Sequence, residues 1–325
     1  MPGTVSFMQQ SFPGKPTFTE KDIPDLENKV VIVTGSNTGV GKEIARMCYQ
    51  RHATVYMLAR SEEKTRRAMS EIQVDIPKSR GQMIYHKLDL SDLKSVKASA
   101  EAFLAKERSL HVLFNNAGVG YPEKGATTAQ GYELQLGVNV LGTFAITKHL
   151  TPLLVSTAKT SAPGTVRVVW ASSSAAEAQS AKGFIRGLAE WDKKGQYPQY
   201  CLSKLGNYYH ATEFAARHAA DGIISIPLNP GNIDSDFWRT MGSLVTCMLQ
   251  KTLLHPPRYG AYTNVFAGFS PEVTLEKSGQ FVAPWGQFRN VSKDMLEGSK
   301  SKTQGGNGTA KEFWNWSEAQ INAYA

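Results

Sequence analysis

Val30-Val31-Ile32-Val33-Thr34-Gly35-Ser36-Asn37-Thr38-Gly39-Val40-Gly41 is the stretch that decides the fold. Its β-branched run reads as a buried strand, and the Gly-rich turn behind it opens a helical stretch carrying Ile44 and Ala45. Glycines let the backbone turn sharply and approach a pyrophosphate, whose charge then rests on the free N–H groups and positive dipole end of the helix. A Gly-rich turn alone is weak evidence. Placed between the first strand and a helix, it predicts a dinucleotide site built from Gly35, Ser36, Asn37, Thr38, Gly39, Val40 and Gly41.

The alternation begun there continues outward. Short β-branched runs at Val30–Thr34, Thr54–Leu58, Gln82–Lys87, Val112–Asn115, Val166–Ser172, Ile223–Leu228 and Gly279–Ala283 alternate with helical stretches at Gly41–Gln50, Glu62–Ile72, Leu93–Arg108, Gln130–Leu154, Pro198–Arg217 and Tyr259–Phe269. The expected fold is α/β: a Rossmann-type, doubly wound, three-layer αβα domain around a seven-stranded, mostly parallel sheet. No linker or internal repeat divides it. Residues 1–28 read as an irregular N-terminal arm and 29–290 as one catalytic domain. In residues 291–325, Glu297–Lys311 reads as a mobile loop, and a tail holding Phe313-Trp314-Asn315-Trp316 is apolar enough to dock back on the domain.

Length and composition fit one such domain. The chain has 325 residues, 41% of them hydrophobic and 20% charged, which is a globular balance that excludes disordered and fibrous classes. Mean hydropathy is −0.31, and no run of 18 or more apolar residues suggests a membrane span. The Pro-rich, polar first 29 residues do not resemble a secretory signal, so a cytoplasmic location is expected. Cys48, Cys201 and Cys247 are scattered, which predicts free thiols and neither a disulfide framework nor a metal site. The formal charge of +8 is spread along the chain without a basic-aromatic stripe, which argues against nucleic-acid binding. His111 and His210 stand apart from other ligands and read as structural.

The end of the second strand bears on which dinucleotide binds. An acidic residue there would bond a ribose 2′-OH, whereas an Arg accommodates a 2′-phosphate. Here Val55-Tyr56-Met57-Leu58-Ala59 ends at Arg60, with Lys64 one turn into the next helix, so NADP(H) is preferred. The alternative is that Arg60 is an ordinary surface cation and Glu62 takes the acidic role.

Tyr200 and Lys204 are spaced i,i+4, which puts both on one face of a helix. A neighbouring ammonium favours the phenolate and brings a Tyr toward useful acid/base range. The pair alone is weak evidence. It gains weight from its order with the turn at Thr34–Gly41, Asn115-Asn116-Ala117-Gly118, Asn139 in Val138-Asn139-Val140, Ser172-Ser173 and Pro230-Gly231. Together these resemble the short-chain dehydrogenase/reductase family over roughly residues 28–285. Arg60, Tyr200-Cys201-Leu202-Ser203-Lys204 and Asn229-Pro230-Gly231 are similar to its retinol dehydrogenase-like group, and the ending through Trp285 and Phe313–Trp316 resembles fungal members.

The resemblance implies roles residue by residue. Tyr200 would be the acid/base, with Lys204 lowering its pKa and holding the nicotinamide ribose. Ser173 would bond the reacting oxygen and Asn139 would hold a water in a proton relay. Asn116, Ala117 and Gly118 would line the adenosine side, Asp89 and Leu90 would meet the adenine, and Pro230, Gly231, Asn232 and Ile233 would pack near the carboxamide, with Ser235 touching the cofactor. Ser172-Ser173-Ser174 leaves the catalytic serine ambiguous by one position. The long stretch between Ser173 and Tyr200 offers Phe184 and Trp191 as substrate wall. A lid is expected at about 234–257, its Phe237–Leu254 stretch reading equally as core or dimer packing, and Leu244–Leu254 as an interfacial membrane patch is a further alternative.

The expected function is an NADP(H)-dependent oxidoreductase acting on a hydrophobic alcohol, aldehyde or ketone, with tailoring of a secondary metabolite implied by the fungal resemblance. A homo-oligomer is left open. The alternative is a dinucleotide-binding regulator or scaffold that kept the fold without catalysis.

Overall fold

Val-Val-Ile-Val-Thr forms strand β1 (Val30–Thr34), and all five of its residues are buried. The structure, a computed structural model, describes residues 8–234 and 253–324. Alternate side chains of β1 enter opposite cores: Val30 and Ile32 join one hydrophobic cluster, Val31 and Val33 the other. A strand with both faces covered needs a continuous apolar run rather than alternation, and this one has it.

β1 sits between β2 (Thr54–Ala59) and β4 (Val112–Asn115), within an eight-stranded sheet that also holds β3 (Gln82–Lys87), β5 (Arg167–Ala171), β6 (Ile224–Leu228), β7 (Phe281–Ala283) and β8 (Gln287–Arg289). Its order is β3-β2-β1-β4-β5-β6-β7-β8, parallel except for β8, which returns antiparallel on β7. The seven expected strands are all present. β8 is an addition, formed when Pro284-Trp285-Gly286 turns the chain back. Because β2 and β3 wind to one side of β1 and β4 to β7 to the other, the direction reverses at β1, and a crevice opens beyond the carboxyl ends of β1 and β4.

Helices cover both faces. α1 (Gly39–Gln50), α2 (Glu62–Asp75) and α7 (Pro257–Phe269) pack on one core. α3 (Leu93–Leu104), α4 (Thr143–Lys159), the short α5 (Phe184–Ala189) and α6 (Gln196–Arg217) pack on the other. Ser61 caps α2 by accepting from the Lys64 amide, and Asp92 caps α3 by accepting from the Lys94 amide. The helix expected from Gln130 starts later, as a π-helical turn at Leu136–Gly142 that runs into α4. Gly131, at φ +83°, belongs to a tight turn closed by a Thr127–Glu133 bridge, which forbids helix there. Leu136–Lys159 is apolar and long enough to cross a membrane, but 67% of its apolar window is buried inside the domain.

Residues Glu297–Lys311, read from sequence as a loop, hold the end of α8 (Lys293–Ser299), a 3₁₀ turn at Lys302–Gln304 and the start of α9 (Thr309–Ile321). α9 buries Phe313 and Trp314 against α4 and α6. There His210 is sandwiched between Phe313 and Phe144, at 4.4 and 4.6 Å between ring centroids, and its Nε2 meets the Ser317 hydroxyl at 2.9 Å. At the other end of the sheet His111 accepts the Val30 amide through Nδ1 at 3.1 Å.

Burial holds both imidazoles neutral, pulling His111 down to about 4 and His210 to about 3 from an ordinary 6.5. Below pH 6.5 the unfolded chain therefore takes up protons that the folded chain refuses, so stability falls as pH drops from about 6.5 toward 4 and the loss saturates below the folded values. Urea unfolding is expected to show a loss on the order of 4 kcal/mol between pH 7.5 and pH 5. A stability independent of pH over that interval contradicts this account.

Candidate active site

The phosphate turn is built by Thr34 at the end of β1. Its hydroxyl donates to the Phe114 carbonyl at 3.2 Å and accepts the Asn116 and Ala117 amides at 3.1 and 2.9 Å. Asn116 Nδ2 returns to the Thr34 carbonyl at 3.0 Å, so the loops after β1 and β4 are one unit. Gly35 and Gly39 take φ of +66° and +55°, which non-glycine residues rarely adopt. α1 then begins with no side-chain cap and no acidic residue in its first turn, leaving its N–H groups pointed at the crevice. The Ser36 hydroxyl is buried and has no hydrogen-bond partner among the described residues. Open amides, small side chains and an unmet hydroxyl are what a bound pyrophosphate requires, and the residues fit that group.

Arg60 follows β2 directly, and both it and Lys64 are exposed. Among the described residues neither makes an ion pair, whereas Glu62 is engaged by Arg66 at 2.7 Å. Asp89 is folded onto its own turn, accepting the Ser91 amide at 2.9 Å and hydroxyl at 2.6 Å, and Leu90 is buried beside Gly142.

Gly118 links this half to the second cluster. A Cβ placed on it would lie 3.3 Å from both Asn139 Oδ1 and Lys204 Nζ. Asn139 comes from the π-helical turn and is fully buried, its amide clamping Val119 by accepting its N–H at 2.7 Å and donating to its carbonyl at 2.9 Å. Lys204 and Tyr200 project from α6, one turn apart. The ammonium donates to the Ala171 carbonyl at 2.9 Å and stands 5.8 Å from the centre of the Tyr200 ring. Burial draws Lys204 down to about 8.

Burial also pushes the Tyr200 hydroxyl above the usual phenol range, and a hydrogen bond from Ser173 opposes that rise without cancelling it. The net direction is upward, against the lowering expected from Lys204 next door. The serine run is separated by geometry. Ser172 is buried and donates to the Lys204 carbonyl at 2.7 Å, while Ser173 reaches Tyr200 and also accepts the Ala175 amide at 3.1 Å.

The Pro230–Ile233 turn follows β6, beside the end of β5, with Gly231 at φ +93° resting on Trp285. Gly260 of α7 packs between Ile233 and Val40 of the phosphate turn, so both turns border one crevice. Ser235 and residues 235–252 of the expected lid, including most of Leu244–Leu254, lie outside the described residues, as does Cys247.

Residues 29–243 match the family model described as short chain dehydrogenase. The chain belongs to the short-chain dehydrogenase/reductase family. It is 44% identical to a short-chain dehydrogenase/reductase of the fungus Phomopsis amygdali, over 97% of this chain and 96% of that one. Among solved structures, an uncharacterized protein of Mycobacterium paratuberculosis covers 93% of this chain and 96% of its own at a TM-score of 0.65 and 26% identity. An NADPH-bound carbonyl reductase from chicken fatty liver shares the fold at a TM-score of 0.61 and 19% identity, over 84% of this chain and 97% of its own. This short-chain dehydrogenase/reductase is accordingly an oxidoreductase.

Its site contains residues that motif reading passes over. Ser203 donates to the Tyr200 carbonyl at 2.7 Å and accepts from Asn139 Nδ2 at 3.0 Å, tying α6 to the π-helical turn. Tyr121 holds a left-handed φ of +49° and lays its ring over that of Tyr200, 6.3 Å between centroids and 22° from parallel. Tyr197, half exposed, donates to the Cys201 thiol. The one sequence signal is the spacing of Tyr197, three residues before Tyr200 and four before Cys201. Phe184 and Trp191, read as substrate wall, are buried instead. Phe184 meets Tyr209 and Phe313 edge-on, and the Trp191 indole donates to Glu133 at 3.0 Å.

Proposed function

We propose that the chain is an NADP(H)-dependent oxidoreductase that interconverts a hydrophobic alcohol with its aldehyde or ketone and works in the tailoring of a secondary metabolite. The observation that carries this reading is the contiguity of the phosphate turn, Gly118, Lys204, Asn139, Tyr200 and Ser173 in one crevice. Bound there, the nicotinamide cofactor supplies or accepts the hydride. Gly35 to Gly41 hold the pyrophosphate, Asn116 to Gly118 line the adenosine side, Asp89 and Leu90 border the adenine, and Pro230 to Ile233 border the carboxamide.

Ser173 donates a hydrogen bond to the reacting oxygen, and Tyr200 gives that oxygen its proton in reduction or removes it in oxidation. Lys204 holds positive charge beside the phenolate that forms when the proton leaves. Asn139 keeps a water in line for its return. Burial raises the Tyr200 phenol above its ordinary range, so at neutral pH it carries the proton that carbonyl reduction consumes. Tyr121 and Tyr197 offer apolar faces beside Tyr200, which suits a hydrophobic substrate.

The test is consumption of NADPH, followed at the nicotinamide absorbance band, against a panel of apolar aldehydes and ketones. Turnover with at least one class is expected. Cofactor binding without turnover of any class overturns the reading. The selectivity part rests on Arg60 and Lys64, which make no ion pair among the described residues and stand past the end of β2, where a 2′-phosphate would be met. Converting both to Ala should weaken NADPH binding about tenfold and leave NADH binding unchanged, since each exposed cationic contact contributes roughly 0.7 kcal/mol. Equal effects on both cofactors would assign the pair to the solvated surface.

A further inference from the structure

The first described residues of the N-terminal arm are docked the wrong way round for a segment held by apolar burial. Met8 and Phe12 are 52% and 59% exposed, while Gln10 and Ser11 between them are 3% and 2% exposed. Polar side chains are mostly found outside and apolar ones inside, so a buried polar pair flanked by exposed apolar residues marks recognition by hydrogen bonds. Their partners lie on the turn after β6. Asn229 Nδ2 donates to Gln10 Oε1 at 2.9 Å, and Asn232 Nδ2 donates to the Ser11 hydroxyl at 3.0 Å, across separations of 219 and 221 residues.

Asn229 is itself 3% exposed and uses its amide in two directions. Its Oδ1 accepts the Gly231 amide at 3.0 Å and so holds the turn's backbone, while its Nδ2 is held by the arm. Gly231, in a conformation that side chains rarely allow, rests on Trp285 on its other side. The turn is thus gripped between Trp285 and the arm. The arm is anchored along its length as well: Gln9 is bonded by Arg289, Glu20 by Arg258, Phe18 meets Phe266 edge-on at 5.9 Å, and Ile23 and Leu26 are buried in the core.

We propose that Gln10 and Ser11 are positioning residues for the Pro230–Ile233 turn, so that the N-terminal arm sets the affinity of the crevice for the nicotinamide half of the cofactor. The proposal rests on the reading of that turn as the carboxamide border. With the arm in place but the Gln10 acceptor removed, Asn229 Nδ2 loses its partner in a buried position, and the amide that holds the Gly231 N–H keeps one of its two anchors instead of both. The phosphate turn, on the opposite side of Gly260, loses nothing.

Two ligands separate this role from a purely structural one: NADPH, and 2′,5′-ADP, which lacks the nicotinamide. In the full chain, Gln10→Met with Ser11→Ala preserves size and removes both acceptors. The expected result is a loss of about tenfold in NADPH affinity by titration, with the 2′,5′-ADP affinity unchanged. Unchanged NADPH affinity, or an equal loss for both ligands, overturns the proposal. Should the double variant fail to fold, Ser11→Ala alone decides the same question, with a loss of about threefold confined to NADPH as the supporting result and no selective loss as the overturning one. Failure of the unaltered chain to bind either ligand would instead overturn the cofactor reading on which the proposal depends.

Discussion

Tyr200→Phe is expected to lower carbonyl reduction about a thousandfold while leaving the affinity for NADPH within about twofold. Removing a positioned general acid typically costs 10²–10⁴ in rate, and about a thousandfold corresponds to roughly 4 kcal/mol of transition-state stabilisation. The substitution deletes one oxygen and keeps the ring that stacks with Tyr121 and lies near Lys204. It also frees Ser173, whose remaining contact is the Ala175 amide. Cofactor affinity is spared because the phosphate turn and Gly118 do not depend on the phenol. Single-turnover reduction and an independent NADPH titration give the two readouts. A variant that reduces substrate as fast as the parent would remove Tyr200 from the chemistry and leave the scaffold reading standing.

How much of this is legible in the sequence follows from which interactions are local. The inner strands of the parallel sheet are buried on both faces and so are short apolar runs, and the partly exposed edge strand β3 still carries Met83-Ile84-Tyr85, so all seven could be read. β8 could not, because Gln287-Phe288-Arg289 is three residues long, half exposed and has no alternation. Tyr200 and Lys204 were legible because helical spacing alone puts them on one face. Ser173 rather than Ser172 was legible only through the family resemblance, since adjacent residues at a strand end point in opposite directions and the position of α6 decides which meets Lys204's carbonyl and which meets the phenol.

Longer-range packing accounts for the misreadings. Phe184 sits just upstream of the catalytic helix and looks like pocket lining, yet it pairs with Phe313 of the C-terminal helix, which no local pattern reveals. The effect of burial on the Tyr200–Lys204 pair is hidden from sequence for a related reason. Spacing brings the ammonium near, but the desolvation that raises the phenol and lowers the lysine comes from the whole fold. Gln10 and Ser11 are likewise silent in sequence, because polar residues in an irregular arm carry no period.

Gly41→Ala is expected to abolish measurable NADPH binding and to destabilise the fold by about 3 kcal/mol, the upper end of what overpacking a tight site costs. A methyl there would run into the Gly35 carbonyl and lie 2.6 Å from Asn116 Nδ2. The first of these is backbone and has no rotamer to escape into. The second belongs to the bond with the Thr34 carbonyl that joins the two loops. Relief therefore requires α1 to move away from β1, and that shift carries the open N–H groups of the helix off the pyrophosphate position. Gly14→Ala supplies the control, since a Cβ there meets none of the described residues within 4 Å and should leave both properties unchanged. Thermal unfolding and NADPH titration of the two variants side by side make the comparison. If Gly41→Ala binds NADPH like the parent, the close approach of helix and turn does not serve phosphate binding, and the dinucleotide site would have to be sought elsewhere in the crevice.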